Sequence, residues 1–148
     1  FHPDPPFFLT VAADSCDDSR NGDGPGNNAR REFMKHMKRE DRRPAPISVE
    51  GAEGVSKAGL VTVGDGAPTA AMRLFELAPG GHTPYHTHDW EHVVYVVEGE
   101  GLLKTENGDA AFKPGDALLA EPDEMHNFVN TGNGPLRFLC VVPLRGDA

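Results

Sequence analysis

An all-β fold is what this sequence predicts, and three observations predict it. Seventeen Gly and 13 Pro among 148 residues favour many short elements separated by turns. From Ile47 onward, short apolar runs alternate with turn signals at the spacing of a sandwich or barrel. No segment there carries a helical period long enough to compete.

Residues 1–46 read as an irregular N-terminal extension and residues 47–148 as the barrel domain. Asp14 to Asn28 is rich in Asp, Ser, Asn and Gly without apolar periodicity, the pattern of a loop or of disorder. Ahead of it, Phe7, Phe8, Leu9, Thr10 and Val11 form a short apolar run suited to an edge strand on the barrel or on a neighbouring subunit. Arg30, Arg31, Lys35, Lys38, Arg39, Arg42 and Arg43, interrupted by Glu32, Glu40 and Asp41, fit a short helix with a solvated charged face. Pro44 and Pro46 end it.

Within the domain, Gly59 to Val63 and Ala71 to Leu77 are the first expected strands, the second stopping at Pro79, Gly80 and Gly81. His92 to Glu98 carries four Val and a Tyr in succession, an apolar density expected of a strand buried on both faces. Gly99 and Gly101 end or bend it. Gly101 to Thr105 and Asp109 to Lys113 flank Asn107 and Gly108, a dipeptide that closes hairpins because both positions tolerate positive φ. Ala117 to Ala120, His126 to Asn130 and Leu136 to Val142 follow, separated by Pro122 with Asp123 and by the Gly- and Asn-dense stretch Thr131 to Pro135.

Charge and cysteine usage exclude several classes of function. The net charge is -9, with 23 acidic against 14 basic residues, which disfavours phosphate backbones and anionic membranes, so no nucleic-acid partner is expected. Cys16 and Cys140 are too few and too far apart for a disulfide framework or a thiolate zinc site. No apolar run approaches the roughly 18 residues that span a bilayer, and no basic region with an apolar signal core opens the sequence. The expectation is a cytoplasmic protein with no membrane partner.

Four of the seven histidines suit one metal site. In an extended chain, residues two apart project from the same face, so His86 and His88 offer two imidazoles to one ion. His92 keeps that parity after a short turn through Asp89, Trp90 and Glu91. A fourth ligand has to arrive from elsewhere, and His126, opening a strand behind the turn at Pro122 to Glu124, is the candidate. Neutral imidazoles suit a borderline divalent ion such as Mn, Fe, Ni, Cu or Zn better than Mg or Ca. His2, His36 and His82 are left as surface or packed residues, His82 being the hardest to place.

The stretch Gly80, His86, His88, His92, Gly99 resembles the first motif of the cupin family: a Gly, five residues, His-x-His, three residues, a ligand, six residues, a Gly. The third ligand is commonly Glu in that motif. Here it is His92, so the sequence resembles the four-histidine subset of single-domain cupins. Gly115, Pro122, His126 and Asn130 resemble the second motif, although the glycine usual between the proline and the histidine is replaced by Asp123, Glu124 and Met125. The resemblance implies a six- to eight-stranded antiparallel jelly-roll barrel, one divalent metal near its open end, and a homodimer.

Strand parity gives the pocket its expected walls: Val94 and Val96 beside His92, Phe128 beside His126, and Phe138 with Cys140 on the last strand. Such an apolar pocket admits a small organic ligand and leaves polar work to the metal. The first expectation is a metal-dependent, dioxygenase-like oxidoreductase. One alternative is a lyase or isomerase for a sugar-derived or hydroxy-acid substrate, which needs a general base. None stands out among Glu76, Glu98, Asp89, Glu91 and Tyr85, and Arg73 is the one cation placed to hold a carboxylate if it faces inward. The other alternative is a non-catalytic, metal-bearing binding or sensing module. Cys140 reads as a buried inert thiol, and Trp90 as a cap on the barrel mouth or packing for the first hairpin.

Overall fold

The structure is a computed structural model that describes residues 34–147. The expected edge strand at Phe7 to Val11 and the loop from Asp14 to Asn28 lie outside the described residues. Among the described residues, nine strands, all paired antiparallel, make one curled sheet. They are β1 (Ala45–Pro46), β2 (Glu53–Val61), β3 (Ala70–His82), β4 (His92–Glu98), β5 (Gly101–Thr105), β6 (Gly108–Phe112), β7 (Ala117–Ala120), β8 (His126–Asn130) and β9 (Leu136–Pro143). The sheet runs β6-β5-β8-β3-β9-β4-β7, with β2 added to β3 and β1 to β2. Among the described residues, no helix is long and apolar enough to cross a membrane.

Side chains alternate in and out along each strand with a period of two, and this places the core. Ala71, Arg73, Phe75 and Leu77 of β3 face inward, as do His92, Val94 and Val96 of β4 and Leu136, Phe138, Cys140 and Val142 of β9. Phe138 is the hinge of the aromatic packing: its ring stacks on Phe75 at 5.3 Å and lies 4.9 Å from Phe128. β9 is bonded on one side to β3, pairing Arg73 with Cys140, and on the other to β4, pairing Val94 with Cys140. Arg73, Cys140 and Val94 therefore form one row across three strands, and His92 is the next inward residue along β4 from Val94.

Several boundaries differ from the sequence expectation. β4 is buried on one face only: Val93, Tyr95 and Val97 are each about half exposed, because the antiparallel sheet has packing on its concave side alone. β3 continues through Pro79, Gly80 and Gly81 to His82. Glu53 pairs with His82 and Val55 with Leu77, so β3 carries a bulge opposite β2 and does not end there. β2 begins at Glu53, well before Gly59, and ends at Val61. The 3-10 turn Val63–Asp65 follows.

In the hairpin, Thr105 pairs with Gly108, so the two-residue turn is Glu106 and Asn107. Only Gly108 takes positive φ there. The Thr105 hydroxyl braces the turn, donating to the Gly108 carbonyl at 2.8 Å and accepting from the Asn107 amide at 3.1 Å. In the basic segment, the described residues show a single 3-10 turn, Arg39–Asp41, in place of the expected helix. Arg42 donates to Asp65 at 2.5 Å.

Gly99 sits at φ 81°, and a Cβ there would lie 2.5 Å from the Pro135 carbonyl oxygen, so the chain can leave β4 only through a glycine. Asn130, buried at 1% exposure, donates to the Leu77 and Gly134 carbonyls at 3.0 and 2.8 Å and accepts from the Gly132 amide at 2.9 Å. It holds the 131–135 loop closed at the end of β8.

Candidate metal centre

The two histidine loci meet through the backbone. His86, between β3 and β4, forms an isolated antiparallel bridge with His126 at the start of β8. The His86 amide donates to the His126 carbonyl at 3.1 Å, and the His126 amide donates back at 2.9 Å. Two residues on, the Asp123 amide donates to the His88 carbonyl at 2.8 Å. Asp123 takes φ 64° to do so, supplying from a carboxylate residue the left-handed turn for which the second motif ordinarily has a glycine. Asp tolerates that conformation better than most side chains.

One ring nitrogen from each of His86, His88, His92 and His126 lies within 4.8 Å of one from every other. The rings are held to different degrees. His126 is 1% exposed, and its Nδ1–H donates to the Glu124 carbonyl at 2.8 Å. A carbonyl can only accept, so the proton is on Nδ1 and the Nε2 lone pair, buried and without any partner, is free for a cation. His92 is 9% exposed, with Nδ1 3.0 Å from Cys140 Sγ and Nε2 2.6 Å from His88 Nε2. His88 is half-buried and lies flat on Trp90, ring centroids 4.3 Å apart and planes 3° from parallel. His86 is exposed.

These environments favour the neutral form of His86, His88 and His92. Burial pushes His92 down to about 3, with the charge of Arg73 adding to the effect. Burial also lowers His86, helped by His126 and His88, and lowers His88, helped by His126. A metal ligand must be unprotonated, and two imidazole Nε2 atoms 2.6 Å apart cannot both carry protons. With the orphaned His126 Nε2 aimed at the same place, the donor set fits one borderline first-row divalent ion. His82 and His36 stay outside the cluster. The His82 Nε2 lies 3.9 Å from Glu53.

Beside the histidines is a cavity of about 140 Å³, walled by Phe75, Phe128, Phe138 and Cys140 and reaching Arg73 and Lys57. Val94 and Val96, expected in its wall, are instead buried in the core behind it. Arg73 does face inward, at 5% exposure, donating to the Gly146 carbonyl at 2.9 Å and to Cys140 Sγ at 3.3 Å. Cys140, a buried thiol as expected, thus lies between the guanidinium and a ring of the cluster. Burial pushes its thiol up, so the sulfur stays neutral. Gly146 also backs the Trp90 indole, with room for no Cβ: one would lie 2.5 Å from Trp90 Nε1.

Comparison with known proteins places these features in a family. The family model Cupin_2, described as a cupin domain, matches residues 73–142. The oxalate-binding protein of Thermotoga maritima is 37% identical over 76 residues, 49% of this chain and 63% of that protein. A gentisate 1,2-dioxygenase of a Streptomyces species is 32% identical over 89 residues, 60% of this chain and 25% of that enzyme. The chain thus spans less than two thirds of either. The crystal structure of the polyketide cyclase RemF from Streptomyces resistomycificus superposes with a TM-score of 0.70 at 33% identity, covering 76% of this chain and 80% of that one. The curled sheet is accordingly a jelly roll, and the chain belongs to the cupin family.

Proposed function

We propose that His86, His88, His92 and His126 hold one divalent transition-metal ion and that the protein is a metal-dependent oxidoreductase of dioxygenase type, acting on a small organic substrate in the adjoining cavity. One observation carries the reading: four imidazoles converge at the end of an apolar cavity whose lining contains no Asp or Glu. When bound, such an ion supplies Lewis acidity and, if redox-active, electron transfer.

The chain's own residues orient and exclude. The Glu124 carbonyl fixes the tautomer of His126, and Cys140 Sγ, 3.0 Å from Nδ1, orients the ring of His92. Phe75, Phe128 and Phe138 keep water from the substrate's apolar body. The lyase or isomerase alternative needs a general base, and the cavity lining offers no carboxylate for it. The similarity to an oxalate-binding protein supports a second reading, a binding module without turnover.

The full chain, loaded separately with Fe(II), Mn(II), Ni(II), Cu(II) and Zn(II), tests both. One ion per chain, and oxygen uptake on small phenols or diketones with a redox-active ion but not with Zn(II), is the expected result. Ligand binding without oxygen uptake under any ion would leave the binding module as the function. Less than stoichiometric metal under every loading would end both.

A further inference from the structure

Buried charges in proteins are ordinarily paired, because the low-dielectric interior makes an isolated ion costly. Arg73 breaks that rule. It is 5% exposed, its Nε–H has no acceptor, and no carboxylate among the described residues lies within ion-pair reach of it. Its two hydrogen bonds go to neutral groups, a carbonyl and a thiol. Lys57 of β2 opens onto the same cavity and likewise has no acidic partner among the described residues. In a chain with nine more acidic than basic residues, the cavity beside the histidines is lined by two cations and no anion.

We propose that this cavity selects a compact organic acid: its carboxylate is held by Arg73 and Lys57, and a second oxygen function lies beside the four histidines. The inference rests on the metal reading only for that second oxygen. The carboxylate supplies the missing counter-ion and an acceptor for the guanidinium, whose planar fork matches it.

The geometry limits the size of the acid. His92 Nδ1 and an Arg73 terminal nitrogen both bond to Cys140 Sγ, at 3.0 and 3.3 Å, so the cation and the nearest imidazole are within two hydrogen-bond lengths. A 2-oxo acid, a 2-hydroxy aromatic acid or a dicarboxylate of two carbons is compact enough for such a site. The volume, about 140 Å³, is close to the ~150 Å³ of a void that takes benzene, and the Phe walls suit a flat apolar body. A phosphate ester carries more charge and more acceptor oxygens than these two cations serve, and it finds three Phe rings where it needs donors.

Calorimetric titration of the full chain, with and without Zn(II), compares acids with their uncharged amides: salicylate against salicylamide, pyruvate against pyruvamide, oxalate against oxamide, with inorganic phosphate as a further arm. At least one acid is expected to bind tenfold or more tighter than its amide. Arg73→Gln and Lys57→Gln each remove that preference while metal content stays at wild-type level, and Arg73→Lys retains part of it. Lys57 is partly exposed, so its variant reads the proposal even where Arg73→Gln does not fold. Equal affinity for acids and amides, a preference that survives both Gln variants, or tighter binding of phosphate than of any acid would overturn the proposal. Failure to hold Zn(II) would sink the metal reading alone, because the metal-free titration still reports on Arg73 and Lys57.

Discussion

The four histidines divide into a deep pair and a shallow pair. His126 and His92 are nearly buried, on strands bonded to neighbours, each with Nδ1 facing a partner. His86 and His88 are more exposed and lie between strands. The His88 Nδ1 is buried without a partner, and its ring is positioned by the stack on Trp90. The deep pair is preorganised by the barrel, whereas the shallow pair depends on the backbone bridge at His86, the Asp123 amide bonded to the His88 carbonyl and the stack on Trp90. Buried, anchored rings should couple metal binding to fold stability; the shallow rings should affect metal affinity alone.

The largest expected effect separates the pairs directly. His126→Ala should lose stoichiometric metal and also lower the stability of the metal-free protein by about 2–4 kcal/mol, since it opens a cavity beside Phe128. His88→Ala should abolish stoichiometric metal while the metal-free barrel melts within about 1 kcal/mol of wild type. Metal analysis and denaturant melts of the metal-free proteins check both, and equal destabilisation would erase the distinction.

Acid is the next lever. Burial disfavours the imidazolium of His92, so between its ordinary pKa of 6.5 and its folded value of about 3 the unfolded chain binds the extra proton. Stability therefore rises with pH across that window. The metal-free protein should be most stable above about pH 6.5 and lose on the order of a few kcal/mol as pH falls towards about 3, as followed by urea midpoints at stepped pH. In His92→Phe the slope should flatten, and an unchanged slope would move its origin elsewhere.

Smaller effects probe what supports the shallow pair. Gly146→Ala forces a Cβ against the Trp90 indole and should cost about 1–3 kcal/mol with weaker metal binding, because Trp90 carries the His88 ring. Wild-type affinity in that variant would show the stack to be dispensable. At Asp123, held at φ 64°, a β-branched Val should cost about 1–2 kcal/mol and Gly should be close to neutral, both read as shifts in thermal midpoint.

The histidine cluster was the most legible part of the chain. Residues two apart on an extended segment share a face whatever the rest of the fold does, so the parity of His86, His88 and His92 survives any error in strand boundaries. β4, β5, β7 and β8 start and stop at the expected residues. Lys57 was invisible because β2 was expected to begin only at Gly59, which left residue 57 outside any strand and without a face. The β3 boundary failed for a related reason: Pro79, Gly80 and Gly81 look like a stop, and only pairing with β2 and β8 shows a bulge.

Alone, then, the sequence determined an antiparallel β fold and the four histidines that cluster in it, two of them on strands and two between strands, because alternation and turn chemistry are local. The tertiary structure decided which inward residues are neighbours. Register between strands far apart in the chain set Cys140 between Arg73 and His92 and turned a buried, unpaired guanidinium towards the histidines' cavity. A shift of one residue in β9 would have faced both Phe138 and Cys140 outward, and nothing local to β3, β4 or β9 encodes that alignment.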